Sequence, residues 1–337
     1  MNKTGMWLVG LLMVAACSPS SPPNQDRFSA AELVRWYQQC WNHFNEKKWD
    51  DFAKCYADTA ISQQSGYGKP RVKGATEIAA TTQELAVMAP DVRGELQLLL
   101  INADHHHMAS LSVMHGTNTG PATSGNGKQR KATGKPFGFM FGHSVEIDGQ
   151  YQLITDEFGV ADSGTLAAQL GLTSRPARPV MAAPAAPLKV FVASRSQLEN
   201  KNAAIELEAI EAWNRHDATA VAALQSDDYV MHDGTHAADM NRAQNAADSR
   251  FYWQAFSDAR WSTAGVWGVG DYVVIEGQFE GTSTGDVPEL NIQKTGHKVE
   301  VPFLQIDRFA NGKIVESWLV NDSGLFQSQL QASEPQG

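Results

Sequence analysis

The chain has 337 residues, 42% of them hydrophobic, which is enough for two domains with ordinary cores. Its 27 Lys and Arg against 37 Asp and Glu leave a formal charge of −10, which excludes the basic face that a phosphate backbone requires and so excludes nucleic acid as a partner. Three cysteines cannot build a disulfide scaffold, and 28 Gly with 14 Pro is ordinary usage, so collagen-like and disordered classes are excluded as well.

The first predicted element is an export signal. Lys3 precedes an uninterrupted low-polarity run from Met6 to Ala16, too short for a bilayer core, which needs about 20 helical residues. A positive start, an apolar run and small residues at the cut form a secretory signal. Val14-Ala15-Ala16-Cys17 also resembles a bacterial lipobox, whose cysteine is acylated and becomes the first residue after cleavage. Residues 1–16 are therefore read as a lipoprotein signal peptide, Cys17 as the lipidation site and 17–26 as a flexible Ser/Pro tether. Ser18 after the cysteine implies, by resemblance to Gram-negative lipoproteins, the outer membrane facing the periplasm. The expected location is thus the bacterial cell envelope, with the lipid anchor as the membrane attachment.

A Pro/Ala-rich stretch, 173–189, separates two segments of domain size, 27–172 and 190–331, and a tail covers 332–337. The two segments repeat each other. Phe44-Asn45 aligns with Trp213-Asn214 at an offset of 169, and Gly116 to Gly120 with Gly281 to Gly285 at 165. Thr133-Gly134 aligns with Thr295-Gly296 at 162, and Val160 to Gly164 with Val320 to Gly324 at 160. Four blocks in one order, with a steadily falling offset, indicate a tandem duplication that lost nine residues in the second copy. The period is too long for a solenoid.

Each copy opens with a helix. Ser29-Ala30-Ala31-Glu32 is a capping box flanked by Phe28 and Leu33, and Ser196 with Glu199 repeats it. Leu33, Trp36, Cys40, Trp41 and Phe44 then recur at helical spacing, as do Ile205, Ala209, Ile210 and Trp213. Two shorter helices follow in each copy, about 50–56 and 75–88, then 218–226 and 241–256. The remainder alternates as strands do. Phe137, Phe139, Phe141, His143, Val145 and Ile147 share one face, and Val301, Phe303, Gln305, Asp307 and Phe309 share the matching one. Asp148-Gly149 and Asn311-Gly312 supply turns of type I′. Helices first and antiparallel strands afterwards predict an α+β fold with helices on one face of a curved sheet.

Cys40 and Cys55 lie about equally far from the helix-breaking turn near Lys47 and Lys48, so a helical hairpin brings them face to face. Two readings stand: a disulfide, which an oxidising compartment permits, or two small buried thiols.

These motifs carry a family resemblance. The Phe-Asn helix end, the following Trp-Asp helix, Tyr56-Ala57-Asp58, the GTxTG strand end, Thr133-Gly134-Lys135 and the closing DSGxxxxQLG together resemble the SnoaL-like polyketide cyclases, also called ester cyclases, of the nuclear-transport-factor-2-like superfamily. The second copy departs with His297 for Lys135 and Gln331 for Gly171, so the motifs fit the first copy better. The resemblance implies two tandem cone-shaped α+β barrels, each with three N-terminal helices on a strongly curved, mostly antiparallel sheet around an apolar pocket. It implies intramolecular aldol closure or related acid/base chemistry without metal or organic cofactor, and an aspartate that maps onto Asp162 and Asp322.

Burial in an apolar pocket would raise either carboxyl toward neutrality. Equally, Asp162-Ser163-Gly164 and Asp322-Ser323-Gly324 are natural helix N-caps, and capping lowers a carboxyl's pKa. His143 and Gln305 are candidate pocket residues in matching apolar-facing register, with a satisfied core histidine as the plainer reading of His143. Asp156, Glu316, Phe158 and Trp318 share parity with the two aspartates and are candidate pocket lining, the aromatics equally core. His105-His106-His107 reads as a turn with solvated imidazoles, since adjacent strand residues point to opposite faces. Lys128, Arg130 and Lys131 read as solvated surface.

Two functions follow. One is an envelope enzyme acting by acid/base catalysis on a hydrophobic carbonyl compound. The other is a non-catalytic envelope module that binds an apolar small molecule or docks a protein. Relatives in the superfamily pair through their sheets, so an intramolecular pseudo-dimer or a homo-oligomer is expected.

Overall fold

A computed structural model describes residues 28–331 apart from 67–68, 124–128, 177, 287 and 289–292. The signal peptide, Cys17, the tether, Lys128 and the tail lie outside the described residues. Among those described, no helix is long and apolar enough to cross a membrane.

Both capping boxes form. Ser29 starts α1 (Ala30–Asn45) and Ser196 starts α5 (Gln197–Asn214), each hydroxyl accepting from the third backbone N–H while the glutamate reaches back. In the first domain α2 (Trp49–Ala53) and α3 (Ala75–Met88) complete the helical layer. The sheet comprises β1 (Tyr56–Ser65), β2 (Arg71–Lys73), β3 (Arg93–Ile101), β4 (His107–Thr117), β7 (Pro136–Asp148) and β8 (Leu153–Ala161). A small hairpin, β5 (Ala122–Thr123) with β6 (Gln129–Arg130), lies beside it, and α4 (Ser163–Gln169) closes the domain.

The second domain repeats the plan. After α5 come α6 (Ala218–Leu224), β10 (Gln225–Asp233), β11 (Met240–Asn241) and α7 (Arg242–Ala255). Then follow β12 (Arg260–Val269), β13 (Tyr272–Thr282), β14 (Lys298–Ala310), β15 (Lys313–Asn321) and α8 (Ser323–Gln331). The sheet orders are β2-β1-β8-β7-β4-β3 and β11-β10-β15-β14-β13-β12, parallel only at β1·β8 and β10·β15 within these runs. Two α+β domains in tandem result. The linker is not a bare spacer, because its last residue, Lys189, opens β9 (Lys189–Val192), which pairs parallel with the free edge of β3. The second segment therefore begins inside the first sheet.

The repeated motif residues prove to be backbone clamps. Asn45 exchanges two hydrogen bonds with the Gly94 backbone (3.0 and 2.8 Å), and Asn214 does the same with Trp261 (2.9 and 2.7 Å). Gln169 grips both backbone groups of Gly138, and Gln329 those of Glu300, docking each closing helix on its sheet. Cys40 and Cys55 are joined by a disulfide with Cα atoms 6.1 Å apart, pinning α1 to the turn after α2.

Asn311 and Gly312 both adopt positive φ, as a type I′ turn requires. The matching turn at Asp148-Gly149 differs. Asp148 accepts from the N–H groups of Gln150 (2.6 Å) and Tyr151 (3.2 Å), and the positive φ moves to Gln152, because the aspartate side chain holds a longer loop.

The outer faces of the two sheets pack against each other. Leu98, Leu100, Leu111, Met140 and Val160 meet Tyr272, Val274, Leu304, Ile306 and Val320 in one apolar layer. Phe158 and Trp318 join this layer. The histidine turn also departs from a solvated one: His107 starts β4 with its ring against Ser144 (2.6 Å), Glu276 (2.9 Å) and Trp267, inside the interface. His106 meets the Ile147 carbonyl, and among the described residues no group of three or more His, Cys, Asp or Glu could hold a metal ion.

Candidate active site

Asp162 and Asp322 lie one residue past the ends of β8 and β15, at the pseudo-twofold contact between the domains. Asp162 caps α4 through the N–H groups of Gly164 (3.1 Å) and Thr165 (3.0 Å), and it also accepts from the Ser323 N–H (2.8 Å) and hydroxyl of the other domain. Asp322 reciprocates. It accepts from Gly324 (3.0 Å) and Leu325 (3.1 Å) of its own helix and from the Ser163 N–H (3.2 Å) and hydroxyl, with Ser65 Oγ on its second oxygen (2.8 Å). A Cβ on Gly164 would stand 2.2 Å from Ser323 Oγ, and one on Gly324 2.1 Å from Ser163 Oγ, so each glycine makes room for the other domain's serine. Burial pushes the Asp162 carboxyl above its ordinary value against the Ser323 and Thr165 hydrogen bonds. Asp322 borders the cavity of the second domain, but five donors occupy its carboxylate. Of the two readings open from the sequence, the hydrogen bonds form the helix caps, here as a crossed pair.

The face that surrounds each pocket is set by cross-strand pairing. His143 lies opposite Gly159, and Val145 opposite Glu157; Gln305 lies opposite Leu319, and Asp307 opposite Ser317. Directly paired residues share a face. Glu157 and Ser317 therefore face the pockets, whereas Asp156, Phe158, Glu316 and Trp318 face away. Asp156 is exposed, and Glu316 bonds Arg308 (2.9 Å) and His232 (3.0 Å) on the outer side. Their parity was counted from aspartates that sit on the caps, beyond the strands.

In the first domain the pocket floor is a closed polar network. Tyr37 Oη meets His143 Nδ1 (2.6 Å) and Ser110 Oγ (3.0 Å), and His143 Nε2 meets Glu157 Oε1 (2.6 Å). Tyr56 (2.9 Å) and Gln64 (3.3 Å) donate to the same carboxylate. Burial pushes Glu157 up, but His143, Ser62 and Tyr56 outweigh it and hold the carboxyl below its ordinary value. Trp41, Phe44, Phe52 and Phe141 crowd the remaining space, leaving a cavity of about 40 Å³.

The second domain is hollow. Its cavity measures about 360 Å³, within the range of ligand pockets. At the offset of 169, Tyr37, Cys40, Trp41, Phe52 and Tyr56 of the first domain become Glu206, Ala209, Ile210, Val221 and Gln225, which removes rings and leaves space. Its floor carries two buried carboxyls, Glu206 on α5 and Asp307 on β14, joined by a hydrogen bond. Burial first, then the charge of Asp307, push Glu206 well above the carboxylate range. Burial likewise raises Asp307, against hydrogen bonds from Glu206, Ser317 and Gln305. Gln305 Nε2 donates to both Asp307 oxygens (3.0 and 3.0 Å), and Tyr229 donates to Ser317 Oγ (2.9 Å). Glu206 and Gln305 line the cavity, and their Oε2 and Oε1 are buried without a protein partner. On another wall His236 bridges Asp233 (3.1 Å) and Asp248 (3.2 Å); burial opposes its protonation, yet the two carboxylates push its pKa up to about 10.

Neither Glu206 nor Asp307 was a candidate from the sequence. The signal was there: Glu206 falls in the apolar stripe three, four and seven residues before Ala209, Ile210 and Trp213, and Asp307 in the apolar register of β14.

Comparisons with known proteins locate the same unit. No curated protein matches the chain. Among solved structures, AclR of Streptomyces galilaeus is 24% identical over 39% of this chain and 96% of its own, with a TM-score of 0.36. A SnoaL-like protein from Jannaschia Sp. CCS1 is 17% identical over 42% and 98%, with a TM-score of 0.38. TsrD of Streptomyces laurentii is 18% identical over 42% and 100%, with a TM-score of 0.36. The sequence model of the SnoaL-like polyketide cyclase family matches residues 204–330, the copy whose closing motifs depart from the family pattern. Residues 204–330 thus match the SnoaL-like polyketide cyclase family, and they lie in the second of two α+β domains in tandem.

Proposed function

We propose that the second domain is an acid/base site for a hydrophobic carbonyl compound, of the cyclase or isomerase type, and that the first domain is its structural partner. The observation that carries this reading is the Glu206–Asp307 pair, two buried carboxyls on the wall of a cavity of about 360 Å³. Two carboxyls in one apolar site cannot both ionise near neutrality, so they share a proton. In the reaction Glu206 takes the proton of a C–H beside the carbonyl while the proton held between the two carboxyls moves onto Asp307. The electron pair of the broken C–H bond passes to the carbonyl oxygen as an enolate, which then attacks a second carbonyl or is reprotonated at another carbon by the same pair. Gln305 and Ser317 hold Asp307 in place.

Both outcomes begin with loss of the C–H proton, so deuterium uptake beside the carbonyl of hydrophobic diketones, followed by NMR in D₂O, tests the step before a product is known. Glu206→Gln and Asp307→Asn should lower any catalysed uptake by about 100-fold or more. Uptake by Glu206→Gln at the wild-type rate would refute the assignment. We also retain the envelope location and the Cys17 anchor as part of this reading; Cys17→Ser should leave the membrane fraction, and its retention there would remove the anchor.

A further inference from the structure

We infer that the cavity of the second domain binds an organic ammonium ion, a protonated amine on a body of one or two rings. The floor groups decide this. Glu206 is 2% and Gln305 5% exposed; both residues line the cavity, and each holds a buried oxygen without a protein partner. Gln305 cannot present its amide N–H₂ instead, because Nε2 is committed to both oxygens of Asp307. Acceptors left unpaired in a buried site are costly, and a ligand bearing N–H donors that reaches them removes that cost.

The walls select a cation among donors. Trp213, Trp261, Phe279 and Phe303 enclose the space, with ring centroids 5.2 Å apart for Trp213–Trp261, 4.6 Å for Trp261–Phe303 and 6.2 Å for Trp213–Phe279. The negative faces of such rings attract ammonium groups, more strongly where water is excluded. The acids on the walls are Glu206, Asp233, Asp248, Asp307 and Asp322, against the bases Arg175 and His236. His236 is taken by Asp233 and Asp248. Arg175 gives Nη2 to the Thr235 carbonyl (3.3 Å) and keeps Nη1 unpartnered. None of the hydrogen bonds and ion pairs described for Glu206 and Asp307 comes from a basic side chain, so the floor pair has room for a positive charge. A ligand ammonium, hydrogen-bonded to Glu206 and Gln305 and ringed by the aromatics, supplies it.

This inference uses the cavity of the proposed reaction but not its proton-transfer step, so binding and deuterium uptake can fail separately. The test is calorimetry on the full chain with 1-naphthylmethylamine and two isosteres, neutral 1-naphthalenemethanol and anionic 1-naphthoate. The amine should bind at least tenfold more tightly than the alcohol, and the naphthoate more weakly still. Asp307→Asn should erase the amine's advantage, and Ile210→Trp, which restores the ring found in the first domain, should abolish binding. His143→Gln, in the first domain, should change nothing. Alcohol binding equal to or tighter than the amine, or failure of the amine to bind, would overturn the inference. Should Asp307→Asn not fold, the amine-to-alcohol ratio on the wild type decides alone.

Discussion

One fold, used twice in this chain, treats its interior in two ways. In the first domain His143, Glu157, Tyr37 and Tyr56 satisfy one another and aromatic rings fill most of the remaining space, so the pocket floor is closed. In the second domain the rings are withdrawn, and the polar groups left behind are two carboxyls and an amide with oxygens to spare. A buried polar group stabilises only when paired. The two copies thus keep one fold while differing in the pocket floor: one pairs its polar groups there, and the other leaves buried oxygens of Glu206 and Gln305 unpaired.

The largest effect expected from breaking this contrast is at Glu157. Glu157→Ala strands His143 and Tyr56 in a dry interior and should cost about 3–5 kcal/mol, seen as a lower urea midpoint for the first domain. The equivalent change in the second domain, Ser317→Ala, should cost about 1 kcal/mol. Equal losses at the two sites would mean that the floors are not energetically different.

Next is the disulfide, which has Ala209 and Leu224 at the matching positions of the second copy. Reduction should remove about 3 kcal/mol from the first domain, as expected for a loop of 15 residues, and leave the second intact. Hydrogen exchange before and after reduction resolves the two. Loss of protection in α5 to α7 would refute the domain-specific effect.

The crossed caps join the halves. Ser163→Ala and Ser323→Ala should each cost about 1 kcal/mol, and in differential scanning calorimetry the double variant should separate a single transition into two. Retention of one transition at an unchanged temperature would show that the apolar layer alone couples the domains.

The smallest effect is the pH dependence of the interface. Burial opposes protonation of His107, but Glu276, with Glu146, outweighs it and raises its pKa above the ordinary 6.5. The folded state thus holds this proton more tightly than the unfolded chain. Its contribution is complete below about pH 6.5 and is lost as the pH rises through the folded value. Urea midpoints should therefore fall with pH above 6.5, and less so in Glu276→Gln. An identical slope in both proteins would exclude this ion pair as the cause.

Much of this molecule is legible along the chain because it is local. Both capping boxes, the helical stripes and the Asn311-Gly312 turn depend on residues within a few positions of one another. The repeat is equally plain, but what repeats is the clamp work of Asn45 and Asn214, Gln169 and Gln329, and the paired Asp-Ser-Gly caps. The likeness between copies therefore marks the fold, whereas the chemistry lies where they differ. Tyr37 against Glu206, Val145 against Asp307 and Glu157 against Ser317 are the differences that separate a sealed floor from an open one.

The tandem repeat, the main helices and the residues that cap them are readable along the chain, since each rests on short-range geometry or on repetition, whereas β1 and β2, which precede α3, and the clamps of Asn45 and Gln169 are not. Tertiary packing sets which strand face is inside, that the Asp-Ser-Gly motifs cap across the domain contact, that His107 is half-buried between two sheets, and that Glu206 meets Asp307. The two carboxyls stand about a hundred residues apart in the chain, on a helix and a strand that come together only when the sheet curves over the helices. Burial, which sets their proton affinity, is a property of that assembled interior and not of either residue's neighbours in sequence.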